Sequence, residues 1–181
     1  MEAYVYIGIM SLFIGVTLFD FYVSKLNSDA RENPVPTIVN DIYDKEEYDT
    51  WKAYSRKKAD LSLFSRFFRF LFILLMLMFG GFQALNLFTL EIMDSLYLAT
   101  LLFFVILFVL ETLFSTFFSY INTFGIEEEY GFNNTTKKTF VKDTVMSFLL
   151  SSVLVGGILL IVLYLLREYE TLFLLFSFVI L

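Results

Sequence analysis

A chain of 181 residues that is 58% hydrophobic, 20% aromatic and only 18% charged is far more apolar than an average soluble domain, with its about 45–50% apolar and about 25% charged residues. Cysteine and histidine are both absent, so disulfides, thiol nucleophiles, imidazole bases and Cys/His zinc sites are excluded, and no cofactor is expected to be bound by these residues. The formal net charge of −6 selects no basic partner and no nucleic acid, because most acids lie in connections beside lysines and arginines, as on an ordinary solvated surface.

The apolar residues gather into runs long enough to cross a hydrocarbon core of about 30 Å at about 20 residues per span. They predict an all-α fold: a polytopic helical membrane protein with four complete transmembrane helices plus the start of a fifth, in one domain over residues 1–181. The lipid bilayer is then its first partner. The first span, residues 3–23, follows Glu2 rather than a basic region and shows no small-residue cleavage site, so it reads as a retained anchor.

The connection 24–66 contains "NPVPT", where Pro34 and Pro36 force extended backbone. A helix is expected to restart near Asp44, which stands in a capping-box relation to Glu47, with Tyr48, Trp51 and Tyr54 following at helical spacing. No breaker intervenes before Gly80, so this helix should continue into the second span, residues 67–90. Residues 96–121 and 144–166 form the third and fourth spans. A fifth begins at Thr171 and reaches Leu181 after eleven residues, about 16 Å of helix and about half a crossing; the expectation is that a longer polypeptide completes it. The pairs Gly80-Gly81 and Gly156-Gly157 mark close helix contacts or bends.

Basic residues near span ends are retained on the cytoplasmic side. The first connection and its flanks hold nine, from Lys25 to Arg69, and the third holds Lys137, Lys138 and Lys142; the fourth has Arg167 alone and the second none. The N-terminus is therefore predicted outside, and the first and third connections cytoplasmic. Two glycosylation sequons in "NNTT" are discounted on that ground.

Glu111 lies near the middle of the third span, with Ser115 and Ser119 following at helical spacing and Asn122 one turn further. An ionised carboxylate in lipid is costly, so this face should turn to other helices or a hydrated cavity. A proton relay, a chamber wall and a plain interhelical hydrogen bond all remain open, with Gln83 and Asn86 as candidate partners.

The stretch "GIEEEYGFNNTTKKTFVKD" stands apart from this apolar background. Gly131 suits a positive φ, Asn133 a turn, and Thr135 or Thr136 a helix cap. Glu127, Glu128 and Glu129 repel one another unless cations meet them, for which Lys137, Lys138 and Lys142 are the candidates. The pattern formed by Ile126, Glu127, Glu128, Gly131, Phe132, Asn133, Thr136, Phe140 and Asp143, with Thr123 and Phe124 upstream, resembles the N-terminal transmembrane region of the type-1 CAAX prenyl proteases. It departs from the family at Met146, where Lys is usual, and at Phe117, where Pro is frequent.

The resemblance implies a helical barrel around an intramembrane chamber, in which this chain supplies chamber wall and cytoplasmic rim. It also implies a zinc site built on an HExxH helix in a C-terminal portion of the same polypeptide, and prenylated or membrane-associated peptides as substrates. A chain without histidine is expected to be inactive alone. Two alternatives are a stand-alone membrane scaffold binding lipidated peptides or partner helices, and a small proton-coupled transporter organised on Glu111.

Overall fold

The computed structural model describes residues 2–31 and 44–169; Pro34, Pro36 and the residues of the expected fifth span lie outside them. Among the described residues five α-helices follow in order: α1 (Glu2–Arg31), α2 (Lys45–Met78), α3 (Gly81–Ile92), α4 (Leu96–Ile121) and α5 (Lys137–Glu168), with a π-helical turn, Asn122–Glu127, continuing α4. No strand occurs among the described residues. Four helical stretches among the described residues are long and apolar enough to cross a membrane: Tyr4–Ala30, Lys45–Met78, Leu96–Glu127 and Lys137–Glu168. The molecule is a polytopic helical membrane protein.

Burial makes the same point by its scarcity. Among the described residues the buried hydrophobic side chains are Ala99, Phe118 and Ile126, whereas Leu150 is 64% and Val153 72% exposed. Such surfaces suit a hydrocarbon solvent, which also requires polar groups to be satisfied within the protein. The hydroxyls of Thr17, Thr100, Thr112 and Ser152 each donate to the carbonyl four residues back along their own helix.

The chain forms two compact units, Met1–Phe82 with Phe117–Asn133, and Gln83–Thr116 with Asn134–Leu181. In the first, α1 and α2 pack antiparallel. Tyr6 donates its hydroxyl to the Leu77 carbonyl at 2.6 Å, Phe13 stacks on Phe70 with centroids 5.4 Å apart, and Arg66 Nη1 donates to Ser24 Oγ at 2.7 Å. In the second unit α4 and α5 run antiparallel: Tyr97 donates to the Leu163 carbonyl at 2.7 Å, and Phe108 stacks on Phe148 at 5.5 Å.

Local chemistry explains the helix ends. Asp44 caps α2, its Oδ1 accepting from the Glu46 N–H at 2.8 Å, so the capping bond closes one residue earlier than a box with Glu47 requires. The 34 residues of α2 make a rod of about 51 Å, which joins the polar half carrying Tyr48, Trp51 and Tyr54 to the apolar half, as the absence of breakers suggested.

Three features differ from the sequence expectation. The stretch 67–90 is not one helix. Phe79 closes α2 by donating to the Leu75 carbonyl at 3.0 Å, and Gly80 then takes φ 67°, a left-handed conformation that breaks the helix before α3 begins. A Cβ on Gly81 would lie 3.1 Å from the Met76 Cα, so this glycine pair serves a tight bend. Gly156 and Gly157, by contrast, lie inside α5, where an added Cβ would meet nothing within 4 Å, so among the described residues they mark no close helix contact. Finally, helix enters the expected loop 122–143 from the α4 side, where the π turn continues it to Glu127; at the other side α5 starts at Lys137 behind a Thr136 cap, as the turn chemistry led one to expect.

Candidate functional site

The acidic turn is built on the π-helical end of α4. This wide turn presents Ile126 inward, where it is buried, and brings Glu127 back over Asn122, whose Nδ2 donates to Glu127 Oε1 at 2.9 Å. The Glu127 carbonyl then accepts from the Phe132 N–H at 2.8 Å and the Asn133 N–H at 3.1 Å, while the Gly131 N–H donates to the Glu128 carbonyl at 3.2 Å. Gly131 closes the turn with φ 75°, a conformation a Cβ disfavours. Its use of a glycine is what the sequence led one to expect.

The cations that meet these carboxylates are Lys57 and Lys58 of α2; the sequence had offered Lys137, Lys138 and Lys142. Lys57 forms an ion pair with Glu129, and Lys58 Nζ lies 3.1 Å from Glu127 Oε1. Tyr54 completes the contact. Its hydroxyl accepts from Lys58 Nζ at 3.0 Å, and its ring meets Phe132 and Tyr130 edge-on at 4.9 and 5.5 Å. Lys57 also sits 5.4 Å from the Tyr130 ring centroid.

Both lysines stand on the polar half of α2, ahead of its apolar stretch, and both ammonium groups are held above the ordinary lysine pKa. For Lys57 the chief cause is the hydrogen bond to Glu129; for Lys58 it is the Tyr54 hydroxyl, then Glu127. The charged forms are therefore secure at neutral pH. All four charged side chains retain solvent contact, from 25% for Glu127 to 55% for Glu129, so solvent screens the Lys57–Glu129 pair, and the less exposed Lys58–Glu127 pair is worth only about 0.2–1 kcal/mol. The edge-on aromatic contacts add about 0.5–1.5 kcal/mol each.

Of the motif residues named from the sequence, Glu127, Gly131, Phe132 and Asn133 come together in this clamp, and Glu128 is exposed. Thr136 and Asp143 belong to the second unit, where Thr136 caps α5 by accepting from the Thr139 N–H at 3.2 Å and Asp143 is exposed. Glu111, Ser115 and Ser119 are all exposed on α4. Tyr54, Lys57, Lys58 and Asn122 were not foreseen as parts of the site. The adjacent lysines three and four residues after Tyr54, matching the carboxylate run, were the available signal.

The residues present do not fit a zinc site of the His-based kind. The sequence has no His or Cys, and among the described residues no three Asp or Glu side chains converge as metal ligands.

The description of the CAAX prenyl protease N-terminal region, with its five membrane helices, matches residues 25–181. The chain belongs to that family. The CAAX protease resemblance drawn from the "IEEEYGFNNTT" turn thus extends over most of the sequence. Among solved structures the chain is similar to the crystal structure of S. mikatae Ste24p, with a TM-score of 0.80 and 26% identity over 94% of this chain. It spans 42% of the length of that protein. A search of curated proteins gave no match.

Proposed function

We propose that this chain is the membrane-embedded N-terminal part of a CAAX prenyl protease-like zinc metalloendopeptidase, contributing chamber wall and a cytoplasmic rim. Zinc and the HExxH machinery belong to a C-terminal portion of the same polypeptide, and the substrates are prenylated CAAX-type or membrane-associated peptides. The observation that carries the reading is the clamp. Among the described residues the family's distinctive turn offers no metal ligand set, and two of its three carboxylates, Glu127 and Glu129, together with Phe132, are spent on fixing it to the polar half of α2. That is the work of a rim which positions neighbouring elements.

Sidedness follows the basic residues, with the N-terminus outside and the first and third connections cytoplasmic. The ion pairs support it, since Lys57 and Lys58 of the first connection reach Glu129 and Glu127 of the third. The Glu111, Ser115 and Ser119 positions, exposed on this chain, are read as chamber-facing, because a polar face is costly against lipid.

The test is peptidase assay of the full-length protein in liposomes with a farnesylated CAAX peptide. Cleavage is expected, abolished by a zinc chelator and restored by zinc, and the 181-residue chain alone is expected to cleave nothing. A folded, zinc-loaded full-length protein that leaves the peptide intact overturns the reading, as does a reading frame that stops directly after Leu181.

A further inference from the structure

Between α1 and the middle of α2 runs a groove that changes character along its length. Its polar end is a cavity of about 320 Å³ walled by Ser24, Trp51, Lys58, Ser62 and Arg66, among others. Its apolar end, of about 170 Å³, is walled by Phe13, Phe21, Phe70 and Ile73 together with Asp20, Arg66 and Arg69. Arg66 lines both, so the two are neighbours along one seam.

The donors at the polar end are only partly used. Among the described residues Arg66 donates one hydrogen bond, to Ser24 Oγ at 2.7 Å, out of a five-donor guanidinium fork that matches phosphate oxygens. Lys58 spends two of three ammonium protons on Tyr54 and Glu127. Arg66 lines both cavities, with Lys58, already paired with Glu127, at the polar one and Arg69 and Asp20 at the apolar one. Trp51 and Tyr54 flank the polar cavity, as aromatic residues do at membrane–water interfaces.

We propose that this seam is a binding site for one anionic glycerophospholipid of the surrounding leaflet. Its phosphate is held by the Arg66 fork with help from Lys58 and Ser62, and an acyl chain lies along Phe13, Phe21 and Phe70. A lipid meets the observations where a free anion does not, because the phosphate-binding groups adjoin an apolar trough through the shared Arg66. The inference rests on membrane embedding alone and is independent of the protease reading.

Trp51, the single tryptophan of the chain, reports on the polar cavity. The 181-residue chain in maltoside micelles is titrated with short-chain phosphatidylglycerol, the matched phosphatidylcholine and inorganic phosphate, following Trp51 emission. A saturable response to phosphatidylglycerol is expected, roughly tenfold tighter than to phosphatidylcholine. Arg66→Gln should erase most of that preference, a loss of about tenfold for the anionic lipid. Ser62→Asp, which sets a carboxylate among the cations, provides the same readout should Arg66→Gln lose its helical circular dichroism. Equal responses to the two lipids overturn the proposal, as does an equal response to inorganic phosphate at the same concentration. Displacement of phosphatidylglycerol by a farnesylated CAAX peptide assigns the seam to peptide and overturns it too.

Discussion

Glu127 does two jobs with different parts of one residue. Its carboxylate gathers Lys58 and Asn122, while its carbonyl takes the two N–H groups that close the turn. Only the first job depends on charge, so Glu127→Gln should leave the turn's backbone bonds in place and cost about 1 kcal/mol through the lost ion pair and the altered bond to Asn122. A double-mutant cycle of Glu127→Gln with Lys58→Met, read by unfolding in detergent, should return a coupling of about 0.5 kcal/mol or more; additive losses would remove the ion pair from the account. Alkali supplies a second handle. Both lysines have folded-state pKa values raised above the ordinary one, so their contribution is complete below the unfolded lysine pKa. It is lost as pH climbs through the folded value. Stability should fall as pH rises above the ordinary lysine value of 10.5, and less steeply in Lys57→Met/Lys58→Met.

At the level of single elements, the two left-handed glycines divide what the sequence revealed from what it hid. Gly131 was legible because it stands among turn residues, between a carboxylate run and a cap. Gly80 stands inside an apolar run, where hydropathy reports only that residues prefer lipid and is silent on whether the backbone bends. Hence 67–90 read as one helix and folds as two. Gly131→Ala is expected to cost about 1–2 kcal/mol, and Gly131→Asn clearly less, because Asn tolerates the left-handed region; thermal unfolding in detergent distinguishes the two, and equal losses would contradict the φ of 75°. The long rod of α2 was readable for the converse reason: a capping Asp44 and no breaker for more than thirty residues leave little room for another outcome. The π turn after α4 carries no composition signal at all, which is why the placement of Glu127 against α2 could not be read in advance.

For the molecule as a whole, composition alone established the solvent, and the spacing of the "IEEEYGFNNTT" turn established the kinship. Pairing was beyond reach, since any lysine-bearing segment could have answered the acidic run. The absence of native cysteine makes the proposed topology directly testable by single-cysteine labelling in sealed vesicles. Lys52→Cys and Asn134→Cys should react with a membrane-impermeant maleimide only from the cytoplasmic face, and Asp94→Cys only from the opposite one. Lys52 and Asn134 labelled from opposite faces would break both the sidedness and the clamp.

The widened turn at Asn122–Glu127 holds one more residue than an α-helix would need to reach the same height. Such an insertion takes up slack: removing Gly125 would let the segment rewind as ordinary helix while leaving what lies beyond it near its present bearing. Adding one residue to the regular part of α4 would instead swing the acidic run by about 100° away from its lysine partners without any loss of helicity, so the compass bearing of this rim is set by the residue count of that helix.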